Sequence, residues 1–274
     1  MNYLTRLFLA PTDALGRPLR GREASRWGLA ASLTSWVIVL LGLSIACWLV
    51  YTQARYEWNW TQVWEYRQPL IQGWFTTLWL AALALACSLL IGTVTALCLR
   101  SRLLPLRYLA RLYVEIVRGT PLLVQLLLGY YAVLDILFQL HEALPAGILL
   151  LSLFSGAYIA EIVRGGLDAI GATQRESALA IGLTKVQMYQ HVIFPQTVRL
   201  VLPGLAGQFA NVIKDSSLLY VITVPEFTAA ARNVNAATYS ALESYIPLAV
   251  GYLALTLPIS LLSRWLERRT KFET

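Results

Sequence analysis

The sequence predicts an all-α membrane protein of about six transmembrane helices, with a polar helical insert on one side of the membrane. Three observations carry that expectation. Only 14% of the 274 residues are charged and 57% are hydrophobic, whereas soluble domains carry about 25% charged residues. The apolar residues are blocked: 27–54, 68–99, 119–134, 143–160 and 244–263 contain no Asp, Glu, Lys or Arg, and a helix needs ~20 apolar residues to cross the hydrocarbon core. The basic residues also sort to one side of the implied membrane.

Taken in order, the spans fall at 28–51, 70–99, 107–140, 144–166, 200–224 and 245–265. The first starts too late and runs too long for a signal-peptide core. Ser44-Ile45-Ala46-Cys47 only loosely resembles a lipoprotein cleavage site, and an uncleaved helix is expected. The third is long for one crossing, and its first turns, with Arg107 and Arg111, fit the interface. The fifth is apolar except for Lys214 and Asp215. With the N-terminus inside, the cytoplasmic segments hold 17 of the 22 Lys and Arg residues, and the outer segments hold only Arg55, Arg67 and Arg232. That asymmetry is the positive-inside signature. The net charge of +7 is thus read as topology rather than nucleic-acid binding, because the basic residues divide among four segments. Trp58, Trp60, Trp64 and Tyr66 place the first outer loop along the headgroup zone. Cys47, Cys87 and Cys98 lie in apolar helices without metal-ligand spacing and are read as inert core cysteines.

Soluble catalysis is not indicated, and no catalytic or metal-ligating residues are assigned. His141 and His191 fall in loops without a Ser, Cys or metal-ligand partner at useful spacing. No G-x-x-x-x-G-K-[ST] phosphate loop occurs, so ATP-driven work would need a nucleotide-binding partner. The informative charges lie at membrane depth, where ionisable groups are costly and mark function or buried pairing. Glu115 and Arg118, then Glu161 and Arg164, repeat the pentapeptide E-I-V-R-G. Spacing of i,i+3 lets each pair neutralise locally, and structural ion pairs and a gate are both open readings. Gly119-Thr120-Pro121 and Gly165-Gly166 follow directly, at points suited to a kink or to close helix packing. On the fifth helix Gln208, Asn211 and Asp215 share a face with Ser216 beside them. Asp215 lies ~22 Å along that helix at 1.5 Å per residue. This face can hold the ammonium and carboxylate of an amino acid, or Asp215 can pair with Lys214 or Arg118.

The insert at 167–199 is too patterned for a turn. A helix is expected from Glu176 to Gln190, with Ala178, Ile181, Leu183, Val186 and Tyr189 on its apolar face. Thr173 and Glu176 have capping-box spacing, Gly182 breaks the helix or marks a close contact, and Pro195 stops it. Glu176-x-Ala178-x-x-x-Gly182, followed by Val192-Ile193-Phe194-Pro195, resembles the EAA loop of ABC importer permeases. Ser177, Val192 and Phe194 depart conservatively from the usual Ala, Ile and Leu. The stretches at 114–126, 155–166 and 214–218, with Gly73-Trp74-Phe75-Thr76-Thr77-Leu78, resemble the polar amino acid (histidine, glutamine or arginine) subfamily.

That resemblance implies a five-helix permease core over 70–265, an additional N-terminal helix at 28–51, and cytoplasmic tails at 1–27 and 266–274. It makes the insert a coupling helix, with Glu176, Ala178, Gly182 and Pro195 facing a cytoplasmic ATPase. It implies an inner-membrane dimer with itself or a sister chain, two ATPase subunits, and an extracytoplasmic binding protein that delivers an amino acid. This chain would bind no cofactor, ATP and Mg belonging to the ATPase. It also gives the Gln208–Ser216 face a place on the substrate pathway. Cationic-substrate relatives tend to carry a carboxylate at the position of Gln208, so Gln208 argues against a purely Arg- or Lys-specific transporter. The alternative is an ion-coupled secondary amino acid transporter using Asp215 and Glu161, which calls for internal repeats, and E-I-V-R-G is too short to be one. An intramembrane enzyme would need a catalytic pair at depth, and the histidines are misplaced for it.

Overall fold

Helices account for all the regular structure among the described residues of the computed structural model, which describes 22–53, 56–136, 138–139 and 141–270. The expected tails therefore lie outside the described residues up to 21 and from 271. The chain divides into a unit ending at Trp58 and a unit beginning at Asn59.

The first unit is α1 (Arg22–Gln53), whose apolar stretch Leu33–Leu49 holds the expected first span. Beyond it Trp58 stacks on Tyr51 at 6.5 Å and meets Tyr56 edge-on at 5.2 Å.

The second unit opens with a short helix α2 (Trp60–Glu65) and then α3 (Arg67–Leu99). Next come α4 (Leu104–Gly119) and α5 (Leu122–Leu127), which loosens into a π-turn over Leu128–Asp135. α6 (Ala143–Asp168) leads into the insert, α7 (Ala172–Ala180) and α8 (Lys185–Met188), and a second π-turn at Tyr189–Ile193. α9 (Phe194–Asp215) tightens into a 3₁₀ segment at Ser216–Ile222. α10 (Phe227–Thr238) and α11 (Ala241–Thr270) complete the unit. Among the described residues three helices are long and apolar enough to cross a membrane alone: α3, α6 and residues Ala241–Leu266 of α11.

The third expected span is not one helix. Its two halves meet at 113°, because Thr120 (φ −123°, ψ 147°) and Pro121 (φ −64°, ψ 140°) are both extended. Proline lacks the amide that would continue α4 and forces the preceding residue out of the helical region. Gln125 heals the break. Its Nε2 donates to the carbonyl of Val117 at 2.7 Å, to that of Thr120 at 3.0 Å, and to Thr120 Oγ1 at 2.8 Å. Gly165-Gly166, by contrast, introduces no break, and α6 runs on to Asp168.

Lipid tails are as apolar as leucine, so helices in a bilayer associate through close packing rather than through the hydrophobic effect. α3 and α6 follow that rule and form the most extensive helix pair. Ala81, Ala84, Ser88 and Gly92 line one buried stripe of α3, at helical i, i+3 and i+4 spacing. Ser152 of α6 donates to the Ala84 carbonyl at 3.2 Å. At the crossing, a Cβ on Gly92 would sit 2.6 Å from Ile159 Cγ2 and 2.8 Å from the Gly156 carbonyl oxygen. α11 is tied to this pair by Trp74 Nε1, which donates to the Gly251 carbonyl at 3.2 Å, and to α9 by Ser263 Oγ on the Pro203 carbonyl at 3.0 Å. Outside the stripes, large apolar side chains such as Phe75, Leu90 and Leu97 face outward. Cys47 and Cys87 are exposed too, on outward faces rather than in the core expected for them.

Because backbone lies opposite Gly92, no side-chain rearrangement can admit a larger residue. Gly92→Val is expected to destabilise the helix pair by about 1–3 kcal/mol, read as a lowered Tm of the detergent-purified chain. An unchanged Tm would show that the crossing is looser than described.

Candidate functional site

The polar side chains gather in two places, one at the insert and one along α9. A charged network lies above the insert, where α3, α4 and α6 end.

Glu161 is its node. Its carboxylate receives Arg164 Nε at 2.9 Å and Nη2 at 2.8 Å, the two-pronged geometry a guanidinium makes with a carboxylate. The same carboxylate lies 3.3 Å from Arg118 Nη1 across the gap from α4 to α6. Arg118 also sits over the Tyr158 ring at 5.5 Å. Arg164 reaches on to Asp168 at 3.1 Å, and Asp168 in turn pairs with Arg100 at the end of α3. The expected local pair of Glu115 with Arg118 does not form. Glu115 meets Arg111 at 3.9 Å on the exposed side of α4, while Arg118 turns inward, where its charge faces a carboxylate rather than lipid. Asp168 and Arg100 escaped the sequence reading as partners, although Asp168 follows Arg164 at the i+4 spacing that allows pairing.

The insert hangs from this network. Arg175 donates to the Leu167 carbonyl at 2.9 Å, fastening α7 to the end of α6. Ala178, Met188 and Ile193 pack with Ile170 into a small buried cluster. Gly182 takes φ +85°, a left-handed conformation glycine adopts without Cβ strain, and so turns the chain between α7 and α8. The capping box lies at Thr184 and Gln187, which satisfy each other's backbone amides at 3.3 and 2.9 Å. It does not lie at Thr173 and Glu176, because α7 already starts at Ala172 and carries no side-chain cap. Pro195 does not stop the helix either. It occupies the first turn of α9, where its missing amide has no partner to lose.

The apolar face expected for the insert is largely uncovered. Ile181 is 78% exposed, Val186 65% and Tyr189 49%, and Phe194 just beyond that face is 66% exposed. Only Ala178 is buried, with Leu183 partly covered against the same cluster. Glu176 and Pro195 are exposed as well. A cleft of about 340 Å³ opens beneath, between Thr173, Ser177, Ile181 and Gln196.

On α9 the predicted face is only partly assembled. Gln208 is buried, and Asn211 Nδ2 donates to its Oε1 at 3.4 Å. Ser216 is buried and donates to the Ile213 carbonyl at 2.7 Å. Asp215 is half-buried and makes no salt bridge among the described residues. Arg118, one partner considered for it, is engaged with Glu161. Asn211 and Lys214 are exposed.

A fully buried carboxylate, missed in the sequence, stands outside this face. Glu226 caps α10 by accepting the amides of Thr228 and Ala229 at 2.8 Å each, and takes the Tyr252 hydroxyl at 2.9 Å. Burial pushes its carboxyl above the ordinary value, against the pull of those donors. Asp, Ser or Thr is the usual signal for a cap, and a Glu preceding Phe227 gives no such signal. Among the described residues no cluster of three His, Cys, Asp or Glu side chains could hold a metal ion.

Comparison with known proteins gives this geometry a family. Residues 88–272 match the binding-protein-dependent transport system inner membrane component family. The glutamine transport system permease protein GlnP of Escherichia coli (strain K12) is 36% identical over 216 residues, 78% of this chain and 99% of that protein. The probable glutamine ABC transporter permease protein GlnM of Bacillus subtilis (strain 168) is 33% identical over 199 residues, 73% of this chain and 92% of that protein. A solved structure described as an amino acid ABC transporter with histidines aligns with a TM-score of 0.72 at 36% identity, covering 78% of this chain and 100% of that one. The ion-coupled alternative has no counterpart in these relatives. The chain belongs to the binding-protein-dependent transport family of inner-membrane components, as a permease subunit of the ABC importer type.

Proposed function

We propose that this permease carries an amino acid, delivered by an extracytoplasmic binding protein and moved inward by a separate cytoplasmic ATPase that binds ATP and Mg. The observation that carries the reading is the uncovered apolar face of the insert. Ile181 and Val186 stand exposed on a polar, basic side of the molecule, and such a patch marks a protein contact. The amino acid substrate is supported by the relatives' glutamine transport and by the α9 face. An unpaired carboxylate at Asp215 suits an ammonium group, and the Gln208–Asn211 amides with Ser216 suit the other end.

The proposed topology has six spans, counting α1, the bent α4–α5 pair and α9 with the three long helices, and both termini cytoplasmic. The basic residues support it: Arg100, Arg164, Arg175 and Lys185 all lie on the side of the insert. In this arrangement Glu176, Ala178, Gly182 and Pro195 shape the ATPase contact, Ala178 and Gly182 through the fold of the insert. Glu161, Arg118 and Arg164 hold the helix ends together at the inner mouth, and Glu115 stands apart on the outer side of α4. The permease works as a dimer, with a second copy or a sister chain.

Two substitutions test the two ends separately. Ile181→Asp is expected to lower ATP-dependent uptake at least tenfold and to release the ATPase in pull-down, with membrane insertion unchanged. Uptake at the original rate would make the insert a mere anchor. Asp215→Asn is expected to impair uptake at least tenfold while the complex assembles as before. Loss of assembly would assign Asp215 to structure instead of cargo.

A further inference from the structure

A groove of about 800 Å³ opens at the start of α3, at the far end of that helix from the insert. Its walls come from α2, the first turns of α3, Phe227 and Pro247, with Trp64, Ile71, Trp74 and Phe75 prominent. The volume is in the range of ligand pockets, ~300–1,000 Å³. Nearly all of its surface is apolar, with one cation at the rim. Arg67 uses one guanidinium nitrogen on the Trp64 carbonyl at 3.2 Å and lies 5.7 Å over the Trp64 ring. It has no carboxylate partner among the described residues, and its remaining donors stay available.

The groove has a direction. Arg67 is the first residue of α3 and Phe75 lies eight residues further, about 12 Å along a helix at 1.5 Å per residue. One leaflet's hydrocarbon is ~15 Å deep. A ligand lodged here needs an anionic head at Arg67 and an apolar tail reaching most of the way through one leaflet. Tryptophan at Trp60 and Trp64 marks the headgroup level beside it. A membrane phospholipid has that shape and that charge, whereas a helix of another chain would bring no anion to the rim by necessity.

We infer that this groove binds one phospholipid of the extracytoplasmic leaflet, its phosphate on Arg67 and an acyl chain between Ile71, Trp74 and Phe227. The choice of leaflet rests on the proposed topology; the existence of the site does not. Phe227 and Trp74 connect the groove to the α3–α10–α11 contact, so the lipid would complete the packing of those helices where protein leaves a gap.

Native mass spectrometry of the full-length chain, purified with its partner subunits and supplied with phosphatidylglycerol and phosphatidylethanolamine, reads the site. The wild type is expected to retain one phospholipid per chain. Arg67→Gln should lower that retention about fivefold, the factor one basic residue contributes near an anionic lipid surface. Ile71→Trp, at a position 53% exposed in this unit and therefore tolerant of bulk, should abolish it by filling the groove. Equal retention in all three proteins overturns the inference. So does cross-linking of Ile71→Cys to another protein segment, which would mean that protein fills the groove. Loss of retention together with normal uptake would leave the transport reading intact, and retained lipid together with failed ATP-driven uptake would separate the two in the other direction.

Discussion

Glu161 is the constraint on which the insert side of this molecule depends. One carboxylate, about a quarter exposed, answers two guanidinium groups from two helices. Removing it would leave Arg118 and Arg164 facing each other near the membrane boundary, where unpaired charge is costly. α4 also packs Val114 against Ala96 of α3 and Ala157 and Ala160 of α6. It is severed from α5 at Thr120-Pro121, and one Gln125 side chain spans that break. Tyr113, which donates to the Leu153 carbonyl, and Arg118 add polar ties between α4 and α6 to the packing of Val114 on Ala157 and Ala160. The bend therefore sets α4 at an angle to α5, whose Leu122 and Leu126 are packed into the main buried core.

The two functional ends share helices directly. α6 runs down into the insert and α9 runs back out of it, 22 residues long, or ~33 Å at 1.5 Å per residue. α9 begins at Phe194, beside the exposed patch, and ends at Asp215, on the face proposed for cargo. Gly166 sits so close to Val201 that a Cβ would lie 2.3 Å from it, locking α6 and α9 together just above the insert. A push on the insert therefore reaches the α9 face through rigid helix and close packing, with no long loop to absorb it. Glu226 secures the other end, joining α10 to Tyr252 of α11.

Much of this was legible in residue order. Uncharged blocks located α1, α3, α6 and α11, because the bilayer demands a fixed apolar length. The Glu176-to-Pro195 spacing located the insert, and Gly182 its internal turn. Pairing was less legible, because it depends on which helix faces which. Spacing alone offered Arg118 a partner one turn away, and tertiary packing gave it Glu161 instead. Pro195 reads as a stop in sequence, yet a proline in the first turn of a helix is equally a start, and only the direction of the chain decides. The covered and uncovered sides of the insert were likewise invisible, since Ile181 and Ala178 are both apolar and only one is needed by the chain itself.

In the proposed mechanism, force enters through the insert from a separate ATPase. The most direct measurement is uptake into proteoliposomes containing the chain, a candidate ATPase and the binding protein, with and without internal ATP and with ion gradients collapsed. Amino acid accumulation is expected to require ATP and the ATPase and to survive collapse of the gradients. Accumulation by this chain alone, driven by a proton or sodium gradient without ATP, would contradict that mechanism.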